Sequence, residues 1–123
     1  MTANEKKNLL SVMESDTRWL AYLQEQKYRK IAICGYREFG RILYNKLITA
    51  GFGVPFIVER NYEALKNVES AAVPIIGFQD KTLYAQADIL LLTPDLDYGI
   101  IKECMELAGI DIESLLLTDI LME

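Results

Sequence analysis

Ile31-Ala32-Ile33-Cys34-Gly35-Tyr36-Arg37-Glu38-Phe39-Gly40 is the stretch on which the reading of this chain turns. Its first four residues are apolar without a break, as a strand buried on both faces requires. Gly35 permits a sharp turn. From Glu38 the pattern changes to a helical period: Phe39, Leu43, Leu47 and Ala50 share one face with Ile42 beside them, and Gly51 is the expected stop. A second apolar run, residues 54–58, follows and ends in an acid, Glu59. Strand, glycine turn, helix and strand in this order make a βαβ unit, with parallel strands and a right-handed crossover.

Working outward, the same alternation continues. Residues 73–76 predict a short strand whose Pro74 suits a strand start or an edge, and residues 89–92 and 114–117 predict two more strands. Between them, helical segments are expected at 62–67, at 81–86 behind Asp80, and at 98–108, capped by Asp95 or Asp97 and stopped by Gly109. Residues 119–123 form a short tail with room for one helical turn. Before the first strand, residues 5–27 are helical in composition but interrupted by Ser15-Asp16-Thr17, with Asp16 expected to cap a second helix over 17–26. The fold class is therefore α/β: a three-layer Rossmann-like parallel sheet of five strands in the order 3-2-1-4-5, with an extra N-terminal helix. The order 2-1-3-4-5 is the rival, and a glycine turn directly after the first strand favours the former. Residues 30–123 make the Rossmann-like domain, and residues 1–29 a helical segment that packs on it or on a partner. Trp19, with Leu20 and Leu23, either covers the sheet or meets a second copy.

In a dinucleotide-binding G-x-G-x-x-G turn each glycine has a task. Gly35 makes the tight turn, and Gly40 lets the helix pack closely. The middle glycine, which admits a diphosphate to the backbone, is Arg37 here. Arg37 either pairs with a phosphate through its fork of donors, or marks a site of which only the fold-building glycines remain. Glu59 stands about twenty residues after the turn, where an acid accepts hydrogen bonds from a ribose. Arg60 beside it suits a 2′-phosphate, although Glu59-Arg60-Asn61 also reads as a solvated loop with Asn61 as a helix cap. Thr93-Pro94-Asp95-Leu96-Asp97-Tyr98 forms the opposite wall of the crevice, and Thr93 offers a hydroxyl. Tyr36 and Tyr98 are expected to face the crevice and to stack on a base or sugar, or else to act as amphipathic filler. The candidate ligand-binding residues are Gly35, Tyr36, Arg37, Glu38, Phe39, Gly40, Glu59, Arg60, Asn61, Thr93 and Pro94.

Composition narrows the function classes. The chain has 123 residues, a formal net charge of −5 and no basic cluster longer than Lys6-Lys7, which argues against a nucleic-acid partner. It has no histidine, so the commonest general base and zinc ligand are missing. Cys34 and Cys104 lie far apart in apolar segments and read as reduced core residues, and no metal-ligand spacing is present. No Ser or Cys has a base partner, so no catalytic residue is assigned. No apolar run approaches the roughly 18 residues of a membrane span. No apolar stretch backs the first seven residues as a signal peptide would. A cytoplasmic location is expected.

The chain resembles the small Rossmann-like domains that accompany bacterial surface-polysaccharide enzymes, including the N-terminal domain of sugar O-acyltransferases. The residues that carry the likeness are Ile31 to Gly40, Phe56-Ile57-Val58-Glu59-Arg60-Asn61, Val73-Pro74-Ile75 and Ala87-Asp88-Ile89-Leu90-Leu91-Leu92-Thr93, within residues 30–118. The resemblance implies a nucleotide-sugar or dinucleotide site at Gly35 to Gly40 and at Glu59, with NAD(P) or a UDP-sugar as the ligand and a role in polysaccharide biosynthesis. Arg37 departs from the family pattern, and the family's catalytic domain has no counterpart here. The expected function is a non-catalytic nucleotide-binding module, acting as a homodimer or beside a separate catalytic protein. The alternatives are an interaction or dimerisation module with a decayed site, and a small NAD(P)-dependent oxidoreductase subunit.

Overall fold

The computed structural model describes residues 2–59, 73–78, 81–94 and 96–121. The helices expected around 62–67 and the expected cap Asp80 lie outside them. In chain order the elements are α1 (Ala3–Ser15), α2 (Arg18–Glu25), β1 (Ile31–Cys34), α3 (Glu38–Thr49), β2 (Ile57–Val58), β3 (Ile75–Ile76), a 3₁₀ helix (Lys81–Gln86), β4 (Ile89–Leu92), α4 (Tyr98–Ala108), β5 (Ser114–Leu116) and α5 (Leu117–Leu121). The five strands are all parallel and lie in the order β3-β2-β1-β4-β5, which is the predicted order.

β1 and β4 are the centre of the sheet, and each is buried along its whole length. Their side chains alternate between two cores. Ile31, Ile33, Ile89 and Leu91 face the layer of α1, α2, α3 and α5, while Ala32, Cys34, Leu90 and Leu92 face Ile101 and Met105 of α4 and Tyr84 of the 3₁₀ helix. Such strands must be apolar on both faces, which is why they stand out in the sequence.

β2 is shorter than its apolar run. Lys30 pairs with Gly53 and Ile33 with Ile57, so four residues on one strand span the length of three on the other. The surplus residue falls around Pro55, which has no N–H to give to a ladder, and regular pairing resumes only at Ile57. Pro74 likewise stays outside β3, but its carbonyl accepts the N–H of Ile57 at 2.9 Å.

The N-terminal segment packs into the domain. Met13, Trp19 and Leu23 are fully or almost fully buried in the same core as β1 and α3. α1 lies on α3 and α5, and α2 on α5. The dimer alternative for Trp19 is thereby corrected: its indole is core, and its Nε1 has no hydrogen-bond partner there. The helix break also differs in detail. α1 opens with a capping box between Thr2 and Glu5, and Asp16 closes it instead of capping α2. Thr17 takes the cap position of α2, while the Asp16 carboxylate accepts from the backbone and guanidinium of Arg18. Those bonds hold the Asp16 pKa down to about 2. The C-terminal tail is helical from Leu117, two residues earlier than expected, because Leu117, Ile120 and Leu121 are drawn into the core. Among the described residues, no helix is long and apolar enough to cross a membrane.

Candidate functional site

β1 ends at the C-terminal edge of the sheet, and the chain leaves it through Gly35 with φ 100°, a left-handed conformation that only glycine adopts freely. The Gly35 N–H donates to Val58 O at 2.8 Å, which ties the turn to β2. A Cβ at Gly35 would collide with Thr93 Oγ1 and touch Leu96 at 3.3 Å. Gly40, one turn into α3, rests on the same peptide: a Cβ there would collide with the carbonyl oxygen of Gly35 and lie 2.9 Å from its carbon. Both fold-building tasks predicted for these glycines are therefore met. The first turn of α3 sits directly on the strand end.

The middle of the turn faces outward. Arg37 is exposed and occupies the N-cap position of α3 without a side-chain capping bond. The N–H groups of the first helical turn thus point to the edge of the sheet, together with the positive end of the helix dipole. Glu38 is exposed beside them, and Lys6 of α1 holds it by an ion pair of 3.2 Å. This places a cation from the N-terminal helix at the margin of the turn, a contribution no spacing in the sequence announces.

Glu59 takes a more specific position than expected. It is 5% exposed, and its Oε2 accepts the backbone N–H of Tyr36 at 2.9 Å. Its own N–H donates to Ile76 O at 2.9 Å, so the acid is anchored by β3 and aimed at the turn. The carboxylate and the α3 N-terminus therefore lie on either side of Tyr36. A ribose hydroxyl reaching Glu59 would share it with the Tyr36 N–H.

The side chains of Tyr36 and Phe39 are not crevice groups. Tyr36 is 8% exposed and turned into the core under α3, with the Arg41 guanidinium 5.9 Å from its ring centroid, and Phe39 is fully buried. Tyr98, by contrast, is 41% exposed at the start of α4. The opposite wall is closed by its own residues. Thr93 is 2% exposed, and its hydroxyl donates to Cys34 O at 3.3 Å while its N–H donates to the same oxygen at 3.2 Å. Leu96, part of the expected wall but given no role there, leans over Gly35 next to Thr93. Pro94 between them is half-buried. Asp97 caps α4 by accepting the Ile100 N–H at 3.2 Å, one of the two caps foreseen, whereas Asp95, Arg60 and Asn61 lie outside the described residues.

The fold thus brings together the turn from Gly35 to Gly40, Glu59, Thr93 and Pro94. Of these, Arg37 and Glu38 are exposed, whereas Phe39, Gly40, Glu59 and Thr93 are buried. Two open clefts, of about 370 and 490 Å³, lie at the other edge of the sheet. Asp88 and Glu113 line the first, and Lys27, Arg29 and Phe52 the second. Set beside protein-family models, curated proteins and solved structures, the chain matches none of them.

Proposed function

We propose that this chain is a non-catalytic Rossmann-like module that binds a nucleotide, nucleotide sugar or dinucleotide at the C-terminal edge of its sheet, in the service of bacterial polysaccharide biosynthesis. One observation carries the reading. An uncapped helix N-terminus bearing Arg37 and a buried carboxylate, Glu59 at the end of β2, meet at the glycine turn after β1, one of the two strands between which the order of the sheet reverses. Phosphate is the anion that such a helix end and an arginine fork accept together. A sugar hydroxyl is the donor that a carboxylate at the end of the second strand accepts. Arg37, standing where a glycine would let a diphosphate lie on the backbone, puts the phosphate outside the turn and within reach of its side chain. The chain has no histidine, and the reading assigns no catalytic residue, so binding is the whole of the proposed task.

A second reading rests on a different observation. Thr93 and Leu96 fill the space over Gly35, between the ends of β1 and β4. A closed crevice suits an interaction module that keeps the fold and has lost the ligand. Melting curves with NAD(H), NADP(H), UDP-sugars and coenzyme A separate the two, because a ligand of the native state raises the melting temperature. A rise with any of the nucleotides supports the first reading. Flat curves throughout, at millimolar ligand, leave the second.

A further inference from the structure

Among the described residues, four large apolar side chains stand in solvent, and three of them belong to α4: Tyr98, Ile100 and Leu107, exposed by 41%, 38% and 82%. Ile101 and Met105 of the same helix already face the sheet, while Ile100 and Leu107 share a second, exposed edge, with Tyr98 almost half a turn away from them. Ile100, half-buried Cys104 and Leu107 stand at i, i+4 and i+7, the spacing with which one helix face meets another. The charge of this segment is one-sided. Between residues 97 and 113, five acids (Asp97, Glu103, Glu106, Asp111 and Glu113) and one lysine, Lys102, are exposed, which concentrates here most of the chain's formal net charge of −5. Glu103, three residues after Ile100 and four before Leu107, flanks the edge itself, and Lys102 lies on the far side of the helix.

We propose that this face of α4 is a docking surface for a basic amphipathic helix of a partner protein. The apolar stripe supplies contact area, and the acids beside it select lysine- and arginine-flanked partners and steer their approach. A second copy of this chain fits poorly: pairing α4 with itself about a two-fold axis sets Glu103 near its own copy beside the seam. An anionic membrane surface is repelled by the same acids. The surface is independent of the ligand reading, since its stripe is not part of the glycine turn.

The test uses two synthetic helical peptides with identical leucines at i, i+4 and i+7, one flanked by lysines and the other by glutamates, titrated into the full chain and followed by amide NMR shifts. The lysine peptide is expected to shift the amides of α4 and to bind less tightly as salt rises. The glutamate peptide is expected not to bind. Leu107→Gln should weaken the lysine peptide by about tenfold, the loss of one apolar anchor. It should leave the melting temperature unchanged, because the leucine is exposed. Glu103→Lys should weaken it as well and admit the glutamate peptide. The proposal is overturned by lack of binding, by shifts that lie off α4, or by equal binding to Leu107→Gln, which would mean attraction by charge alone. It is also overturned by sedimentation showing a dimer that Leu107→Gln disperses, because the stripe would then belong to a second copy.

Discussion

Each end of β1 is held by a carboxylate, and the two differ in what surrounds them. At the N-terminal end, Asp88 is exposed, and its Oδ2 accepts the backbone N–H groups of Arg29 and Lys30 at 2.9 Å each. The bond from Lys30, followed by that from Arg29, holds the Asp88 carboxyl below its ordinary range. At the C-terminal end, Glu59 is buried and accepts the single N–H of Tyr36. Asp88 is a clamp: it splices the approach to β4 onto the approach to β1 and leaves no backbone donor of that step for anything else. Glu59 makes the same kind of bond at the edge where sheets of this class take their ligands, next to a helix end whose own donors are uncapped. The same chemistry is structural where water competes with it. At Glu59, where protein encloses it, it supplies the acceptor that the proposed site requires.

The largest effect on this contrast is expected at the turn that Glu59 serves. Gly40→Val should lower stability by about 3 kcal/mol, the upper part of the range for an overpacked contact, because the added side chain meets a backbone carbonyl that cannot rotate away. Urea unfolding measures it. An unchanged midpoint would mean that α3 does not rest on Gly35. Next comes Glu59→Ala, which leaves the buried Tyr36 N–H without its acceptor and should cost about 2 kcal/mol. Glu59→Gln keeps an acceptor oxygen and should recover part of that. Equal losses in the two variants would show that the negative charge, and not the hydrogen bond, is what the turn requires.

Asp88→Asn should have the smallest effect, since the group is exposed and its bonds compete with water. Its sign with pH is fixed. A carboxyl whose pKa is lowered on folding contributes stability that is fully present above its unfolded value, about 3.9, and is lost as pH falls through the lower folded value. The difference in unfolding midpoint between wild type and Asp88→Asn should therefore be largest near neutral pH and shrink below about pH 4. A difference that persists in acid would place the role of Asp88 in its shape and not in its charge.

The order of the sheet was legible because β1 and β4 are buried on both faces and so write themselves as unbroken apolar runs, and because Gly35, Gly51 and Gly109 mark the turn and the helix ends. The length of β2 was not: hydropathy is blind to the missing N–H of Pro55 that ends regular pairing. Nor was the direction of Tyr36. One residue beyond a left-handed glycine, the backbone and not the pattern decides on which side a ring falls, and it falls into the core. For the site, the sequence located the acid at the end of the second strand but not its partner, which lies 23 residues away and meets it only in the folded chain. Thr93 was read as a free hydroxyl, whereas the fold spends it on Cys34 O. Trp19 reads as core from its pattern, with a dimer contact as the alternative, and what buries it in part is α5 packing against α2, a helix whose start at Leu117 no spacing in the sequence announces.

The decisive measurement is a calorimetric titration of wild type and of Arg37→Glu with NADH, NADPH and a UDP-sugar at low ionic strength. Arg37 is exposed, and in the described residues no ion pair ties it down, so the variant changes the charge at the helix end without disturbing the core. If the turn binds the phosphate of a nucleotide, wild type gives saturable heat with at least one of these ligands and Arg37→Glu gives none. Absence of heat from wild type at millimolar ligand, or identical isotherms for the two proteins, would contradict a nucleotide site at this turn.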